Sequence, residues 1–110
     1  MEISIRKEDK ATVVVVTGEV DGRTAPQAQE QILPVVQTAS SIVLDMAGVT
    51  FMSSAGLRML LLLYRQATAK NVKVVLAGLS AEIKDTMSMT GFLDYFEVAD
   101  SVAEGLQKLA

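Results

Sequence analysis

The stretch Ser53-Ser54-Ala55-Gly56-Leu57 decides how this chain folds. It follows the apolar run Ile42–Asp45 through the turn-like pair Ala47-Gly48, and it leads into Leu57–Tyr64, where six of eight residues are Leu or Met. This order predicts a strand, a loop and then a helix with two hydroxyl groups at its start. A serine there can accept a hydrogen bond from a free backbone N–H of the first turn. A phosphate would meet the same N–H groups and the positive end of the helix dipole, so the site suits either a structural cap or a phosphorylation site.

The composition excludes several classes of function. A chain of 110 residues, half of them hydrophobic, predicts one compact domain over residues 1–110. There is no cysteine and no histidine, which removes disulfides, thiol chemistry, the commonest metal ligand and the usual general base near neutral pH. The carboxylates are scattered along the chain rather than clustered. We therefore expect no metal site and no cofactor.

The charge balance bears on partners and location. The formal net charge is −3, which disfavours nucleic acid as a partner because phosphate neutralisation needs clustered Lys and Arg. The start of the chain lacks a basic segment followed by an apolar one, so we expect no signal peptide. The apolar run Leu57–Tyr64 is far too short to span a bilayer. These features predict a cytoplasmic protein that does not insert into a membrane.

Hydrophobic patterning predicts strands that alternate with helices after an initial hairpin. The predicted strands are Glu2–Arg6, Thr12–Gly18, Ser41–Asp45, Val72–Ala77 and a small edge strand at Tyr95–Val98, and the predicted helices are Ala25–Val36, Ala55–Lys70, a third that Ser80 caps and that runs to about Met89, and Val102–Leu109 after a Ser101 cap. The expected fold is α/β, a small mixed and mainly parallel sheet of four to five strands flanked by helices. Sites in such sheets collect beyond the strand carboxyl ends, here at Asp21–Thr24 and Ala47–Ser54.

The second predicted helix should show one apolar side and one polar side. The helical period assigns five positions to the core-facing side: Leu57, Leu60, Leu61, Tyr64 and Thr68. Arg58 and Leu62 then lie on the other side, where Leu62 would be an apolar residue among arginines. Beside a helix start that carries hydroxyls, such a residue suits a docking patch. The late apolar residues Met87, Met89, Phe92 and Phe96 are predicted to lie in the core or at its edge.

Catalysis by the serines is disfavoured. A seryl nucleophile needs a base, but the chain has no histidine and the next lysine, Lys70, lies at the far end of the helix. The local sequence is neither a Gly-x-Ser-x-Gly elbow nor a phosphate-binding loop. We therefore predict that the protein is not an enzyme. On these residues alone, helix capping is the favoured role of Ser53 and Ser54.

The loop after the second strand offers a carboxylate and a hydroxyl. Asp21 can bond backbone N–H groups of its own loop. Alternatively it can act beside Ser54, because parallel strands present their carboxyl ends together. Thr24 is predicted to cap the first helix.

The chain resembles the STAS domain, and within it the bacterial anti-sigma factor antagonists. The residues that carry the resemblance are Gly18–Asp21 with Thr24-Ala25, then Val43–Asp45 and Val49–Leu57. The resemblance covers essentially the whole chain and implies a small sheet flanked by helices. It also implies partner switching. In such a switch the unphosphorylated protein binds an anti-sigma factor that is also a serine kinase, the kinase phosphorylates a serine at the start of the second helix, and a metal-dependent phosphatase restores it.

The family's local pattern places the phosphoacceptor at Ser54. The usual sequence is Asp-Ser-(Ser, Thr or Ala)-Gly-Leu, and here Ser53 stands in place of the aspartate and becomes a competing acceptor. Arg58 and Leu62 follow Ser54 at four-residue steps, so the predicted docking surface joins these three residues, with the Asp21–Thr24 loop at its edge. The alternative is a STAS-like binding module of a transport or signalling assembly that is never phosphorylated.

Overall fold

Strands and helices alternate after an initial hairpin, as the sequence predicts. A computed structural model describes residues 1–109, and Ala110, the last residue of the predicted domain, lies outside the described residues. The strands are β1 (Glu2–Glu8), β2 (Ala11–Val20), β3 (Ser41–Met52), β4 (Lys73–Ala77) and β5 (Glu97–Ala99). The helices are α1 (Ala25–Ile32), α2 (Ser54–Ala69), α3 (Ala81–Met89) and α4 (Val102–Leu109), with short 3₁₀ helices at Leu33–Gln37 and Phe92–Tyr95.

The five strands form one mixed sheet in the order β1-β2-β3-β4-β5. β1 and β2 are antiparallel and joined by a tight turn in which Asp9 has a positive φ of 55°. Every later pair is parallel, so the carboxyl ends of β2, β3, β4 and β5 lie along the same edge of the sheet. The predicted fold class is confirmed.

Alternate residues of the central strands feed two apolar cores, one on each face of the sheet. Val14, Leu44 and Leu76 pack beneath α1, α2 and α3. Val13 and Val43 face the opposite side, where α4 covers them. The unbroken valine run of β2 therefore reflects burial on both faces.

The ends of β2 and β3 lie further along the chain than predicted. The expected turn at Ala47-Gly48 is wrong, because β3 continues to Met52 and β2 accompanies it to Val20. The pair stays together through two register shifts, and Gly18 has a φ of +93° within this bulged region. A Cβ on Gly48 would lie 2.7 Å from Cγ2 of Thr17, so this glycine permits close pairing rather than a turn. The extension carries both strands to the start of α2.

The core-facing side of α2 is rotated from the predicted one. The buried residues of the helix are Gly56, Leu57, Met59, Leu60, Leu63 and Ala67. Leu61 and Tyr64 are only half-buried and Thr68 is exposed. The long run of leucines caused the error, because a sequence that is apolar nearly all round does not fix the phase of its buried side.

Smaller differences have local causes. α1 ends at Ile32 rather than Val36, since Pro34 leads the chain into a 3₁₀ helix. The predicted strand at Tyr95–Val98 begins only at Glu97, after the second 3₁₀ helix. Met89, predicted at the core edge, is 88% exposed. The predicted helix cap at Ser80 is confirmed, as its hydroxyl accepts a hydrogen bond from the Ile83 N–H at 3.2 Å.

Candidate functional site

The start of α2 is fixed directly on the ends of β2 and β3. Val20 and Met52 are partners in the parallel register, and the Ser53 N–H donates to the Val20 carbonyl at 2.9 Å. The Ser53 carbonyl accepts from the Leu57 N–H at 3.0 Å, which begins the helix. Ser54 is thus the first helical residue, one before the predicted helix start at Ala55, and Asp21 immediately follows the strand residue that holds Ser53.

Gly56 allows the first turn of α2 to approach the strands this closely. A Cβ at this position would lie 2.7 Å from Cγ of Met52 and 3.0 Å from the Val20 carbonyl oxygen. A side chain there would force the Met52 side chain to shift and would crowd the Val20 carbonyl. The glycine of the Ser-Ser-Ala-Gly-Leu stretch therefore sets how deeply the two serines sit against the sheet.

The two serine hydroxyls have opposite environments. Ser54 is exposed, whereas the Ser53 Oγ is buried and has no hydrogen-bond partner among the described residues. Although Ser53 occupies the N-cap position, its side chain accepts no bond from the helix. Helix capping, the role favoured from the residues alone, is therefore wrong for Ser53.

The Asp21 carboxylate organises its own turn. It accepts hydrogen bonds from the Arg23 N–H at 2.9 Å and the Thr24 N–H at 3.2 Å, and the Arg23 guanidinium lies 3.7 Å away. The bond from the Arg23 N–H is the main reason that the pKa of Asp21 is held below its ordinary value. The carboxylate makes no hydrogen bond to either serine within residues 1–109, so the structure brings the two loops together without joining these side chains.

Thr24 fastens the same turn instead of capping α1. Its hydroxyl accepts from the Asp21 N–H at 2.9 Å and lies 3.0 Å from the Glu19 carbonyl, to which it can donate. The predicted cap is wrong because Thr24 has a helical backbone conformation, with φ −99° and ψ −21°, where a capping residue is usually extended. The loop at Asp21–Thr24 is thus held in shape by its own polar groups.

The outer side of α2 continues from Ser54. At about 100° per residue, Leu61 lies within about 20° of Ser54 around the helix axis, and Leu62 lies about 80° away. Leu61 and Leu62 are half-buried, and neither belongs to the two apolar cores. Arg58 and Arg65 are exposed on this side. The sequence analysis assigned Leu61 to the core and so missed it as a surface residue beside Ser54. The seven-residue spacing, about two helical turns, would have placed both residues on the same side of α2.

Neither serine lines the main concavities of the described part of the molecule. The larger concavities, of about 290 and 500 Å³, are lined by other residues, among them Tyr64 and Tyr95 for the first and Lys10 and Leu106 for the second. Within residues 1–109 no cluster of three carboxylate, imidazole or thiol side chains could hold a metal ion. The helices described there include none with the length and apolarity needed to cross a membrane.

Comparison with known proteins agrees with this geometry. The family model of the STAS domain matches residues 2–105. The anti-sigma-B factor antagonist of Listeria monocytogenes is 32% identical over 109 residues, which cover 94% of this chain and 95% of that protein.

Solved structures give the same result. An anti-sigma factor antagonist from Mycobacterium paratuberculosis is 27% identical with a TM-score of 0.84, covering 97% of this chain and 92% of that one. SpoIIAA of Bacillus in its phosphorylated form shares the fold, with a TM-score of 0.78 at 16% identity over 99% of this chain and all of its own. The chain belongs to the STAS domain family, among the anti-sigma factor antagonists.

Proposed function

We propose that this protein is a partner switch controlled by phosphorylation of Ser54. In the unphosphorylated form it binds an anti-sigma factor that is also a serine kinase, and phosphorylation by that kinase releases it. The observation that carries the proposal is the contrast between the serines: the Ser54 hydroxyl is exposed at the first helical position, whereas the Ser53 hydroxyl is buried. A kinase can reach the former without disturbing the fold.

The surroundings of Ser54 suit a substrate rather than a catalyst. The chain contains no histidine, and the Asp21 carboxylate accepts its hydrogen bonds from its own turn. A serine without a base is a poor nucleophile, but it can receive a phosphoryl group from a kinase that supplies positioning and a metal ion. A metal-dependent phosphatase, acting in the cytoplasm where ATP is also available, would return the serine to its free state.

A phosphate on Ser54 changes the docking surface without straining the domain. It adds a charge of about −1.5 to −2 next to the positive end of the helix dipole, which tolerates it. In a protein interface the same charge must be desolvated, and each ~1.4 kcal/mol of penalty weakens binding tenfold. The Asp21 carboxylate, close by on the adjoining loop, adds repulsion. The fold can therefore survive a modification that its partner does not tolerate.

The docking surface comprises Ser54, Arg58 and Leu62, with Leu61 added from the observed helix phase and the Asp21–Thr24 loop at its edge. Ser53 contributes through its backbone, which holds α2 on the strands. The Asp21 carboxylate makes its hydrogen bonds within its own turn, so its proposed influence on Ser54 is through its charge rather than through a hydrogen bond. Because Ser53 replaces the usual aspartate, Asp21 is the acid that remains beside the acceptor.

Phosphate mapping tests the assignment. The purified chain is incubated with ATP and the purified serine-kinase anti-sigma factor of the same organism, then analysed by intact mass and by fragmentation of the phosphopeptide. We expect one phosphate, on Ser54, in the parent and in Ser53→Ala, and none in Ser54→Ala. Phosphate on Ser53 would move the acceptor by one residue. Tight binding without any phosphate would instead favour the constitutive binding module.

A further inference from the structure

Phe51 is an exposed aromatic residue close to Ser54. It lies near the end of β3, three residues before Ser54, and 51% of its surface is exposed. With Thr50 of the same strand and Glu82 and Thr86 of α3, it walls a groove of about 130 Å³, and Met52, Leu57 and Ile83 form the apolar floor. We call this feature, defined by these seven residues, the α2–α3 groove.

The size of the groove indicates what it can hold. Pockets for small-molecule ligands begin at about 300 Å³ and enclose most of the ligand surface. A groove of about 130 Å³ has room for one apolar side chain of a protein. Its floor is already formed, since Leu57 and Ile83 are each only 6% exposed. The groove therefore suits an anchor residue that projects from a partner.

The groove has an acidic rim. Glu82 is exposed and has no cationic side chain within ion-pairing distance among residues 1–109. The carboxylate stands at the rim of a groove whose floor is apolar. An apolar side chain of a partner could fill the groove while a neighbouring lysine or arginine of that partner pairs with Glu82. Charged rims of this kind contribute to specificity and to the rate of association.

The groove is continuous with the proposed docking surface. Leu57, on its floor, is three residues after Ser54 on α2, and Phe51 is on the strand that leads into the same helix. On α3, Met89 follows Thr86 by three residues and Glu82 by seven, so it extends the same side of that helix, and it is 88% exposed. A partner that covers Ser54 and approaches α3 would bury these apolar residues.

We propose that the α2–α3 groove is a second contact region for the same kinase partner, and that it takes an apolar side chain of that partner next to a basic one that pairs with Glu82. This inference rests on the proposed function and extends its interface from α2 to α3. The exposed Phe51 is the residue of this chain that decides which partner fits.

Two variants and two matched controls test the groove. Phe51→Ser removes the aromatic wall, and Glu82→Lys reverses the charge of the rim. Ile5→Ser removes an apolar residue of similar exposure, 47%, from the edge strand β1, and Glu2→Lys reverses an exposed charge on that strand. Binding to the purified kinase is measured by calorimetry, with a thermal melt of each variant. We expect the groove variants to bind about tenfold more weakly or worse, and the controls to stay within about twofold of the parent.

The outcomes separate this proposal from the proposed function. If the parent binds the kinase and Phe51→Ser binds equally well, the groove proposal is overturned while the switch stands. If the parent does not bind the kinase, both are overturned. If Phe51→Ser melts at a much lower temperature than Ile5→Ser, its weaker binding could reflect loss of the fold. In that case backbone amide NMR spectra of the isotope-labelled parent are compared with and without the kinase. Shifts at Phe51 and at Glu82–Thr86 support the groove, and their absence overturns it.

Discussion

At the scale of single residues, adjacent serines differ because one is turned into the protein and the other toward solvent. Ser53 has an extended backbone, with φ −84° and ψ 177°, yet its Oγ is buried without a partner. A buried polar group that forms no hydrogen bond costs about 1–3 kcal/mol of stability. A destabilising group next to the candidate phosphoacceptor is consistent with a functional role for this part of the molecule.

Replacement of Ser53 should therefore not behave like the loss of a helix cap. We expect Ser53→Ala to be as stable as the parent or more stable by up to about 1–3 kcal/mol. Ser80→Ala removes a real cap bond to the Ile83 N–H and should lose about 0.5–2 kcal/mol. Urea unfolding of both variants makes the comparison. A loss in Ser53→Ala equal to that in Ser80→Ala would show that Ser53 caps α2 in solution.

The pKa of Asp21 should lie below the ordinary value of an aspartate. Hydrogen bonds from the Arg23 and Thr24 N–H groups favour its charged form and lower its pKa. The stability that these bonds give is present above the ordinary carboxyl pKa of about 3.9 and is lost as pH falls through the lower folded value. Carbon-detected NMR titration should find the Asp21 pKa below that of a model peptide. In acid, the parent should lose stability relative to Asp21→Asn, and parallel curves for the two proteins would contradict the account.

At the scale of elements, the phase of α2 decides which leucines support the fold and which are free for a partner. Leu63 is fully buried among the core residues, whereas Leu61 is half-buried outside both cores. The start of α2 can pack closely on β2 and β3 because Gly56, which contacts Met52 and Val20, has no side chain. The position of Ser54 is therefore a property of the whole strand-to-helix junction.

Two leucines of α2 that are two residues apart, Leu61 and Leu63, should respond in opposite ways to substitution. Leu63→Ala should lose about 2–5 kcal/mol, as buried leucines do. Leu61→Glu should lose less than about 1 kcal/mol, because its side chain can turn to solvent, but it should weaken binding to the kinase. Thermal melts and calorimetry on both proteins measure the two effects. A large stability loss in Leu61→Glu would return Leu61 to the core.

Gly56→Ala should lower the free energy of unfolding even though alanine favours helices. A Cβ would meet Met52 and Val20 at 3.0 Å or less, and overpacking of this kind costs about 1–3 kcal/mol, more than the gain of about 1 kcal/mol in helix propensity. Gly22→Ala is the control, since a Cβ there meets nothing within 4 Å. Denaturant unfolding should show a net loss only for Gly56→Ala. Equal stability of the two variants would mean that the junction is looser than described.

At the scale of the whole molecule, one edge of the sheet carries the site while two cores hold the sheet in place. α1, α2 and α3 cover one face and α4 the other, and the carboxyl ends of β2 and β3, at Val20 and Met52, belong to the core beneath α1, α2 and α3. A phosphate added at the exposed start of α2 touches neither core. The proposed regulatory change would thus be confined to the surface.

Much of this architecture could be predicted from the sequence. The valine run of β2, the Ser80 and Ser101 caps and the Ser54 helix start follow from local patterns. The full length of β3 could not be predicted, because pairing with β2 overrides the turn tendency of Ala47-Gly48. The buried side of α2 and the groove beside Phe51 depend on how helices pack across the sheet, which a run of leucines does not encode.

The central claim is that phosphate on Ser54 releases the partner, and one binding measurement tests it most directly. The affinity of the purified kinase for the chain is measured by calorimetry before and after stoichiometric phosphorylation of Ser54, with Ser54→Ala carried through the same ATP treatment. We predict that the phosphorylated chain binds at least about tenfold more weakly, and that Ser54→Ala keeps the affinity of the untreated parent. Equal affinity of the phosphorylated and unphosphorylated chains would contradict the account.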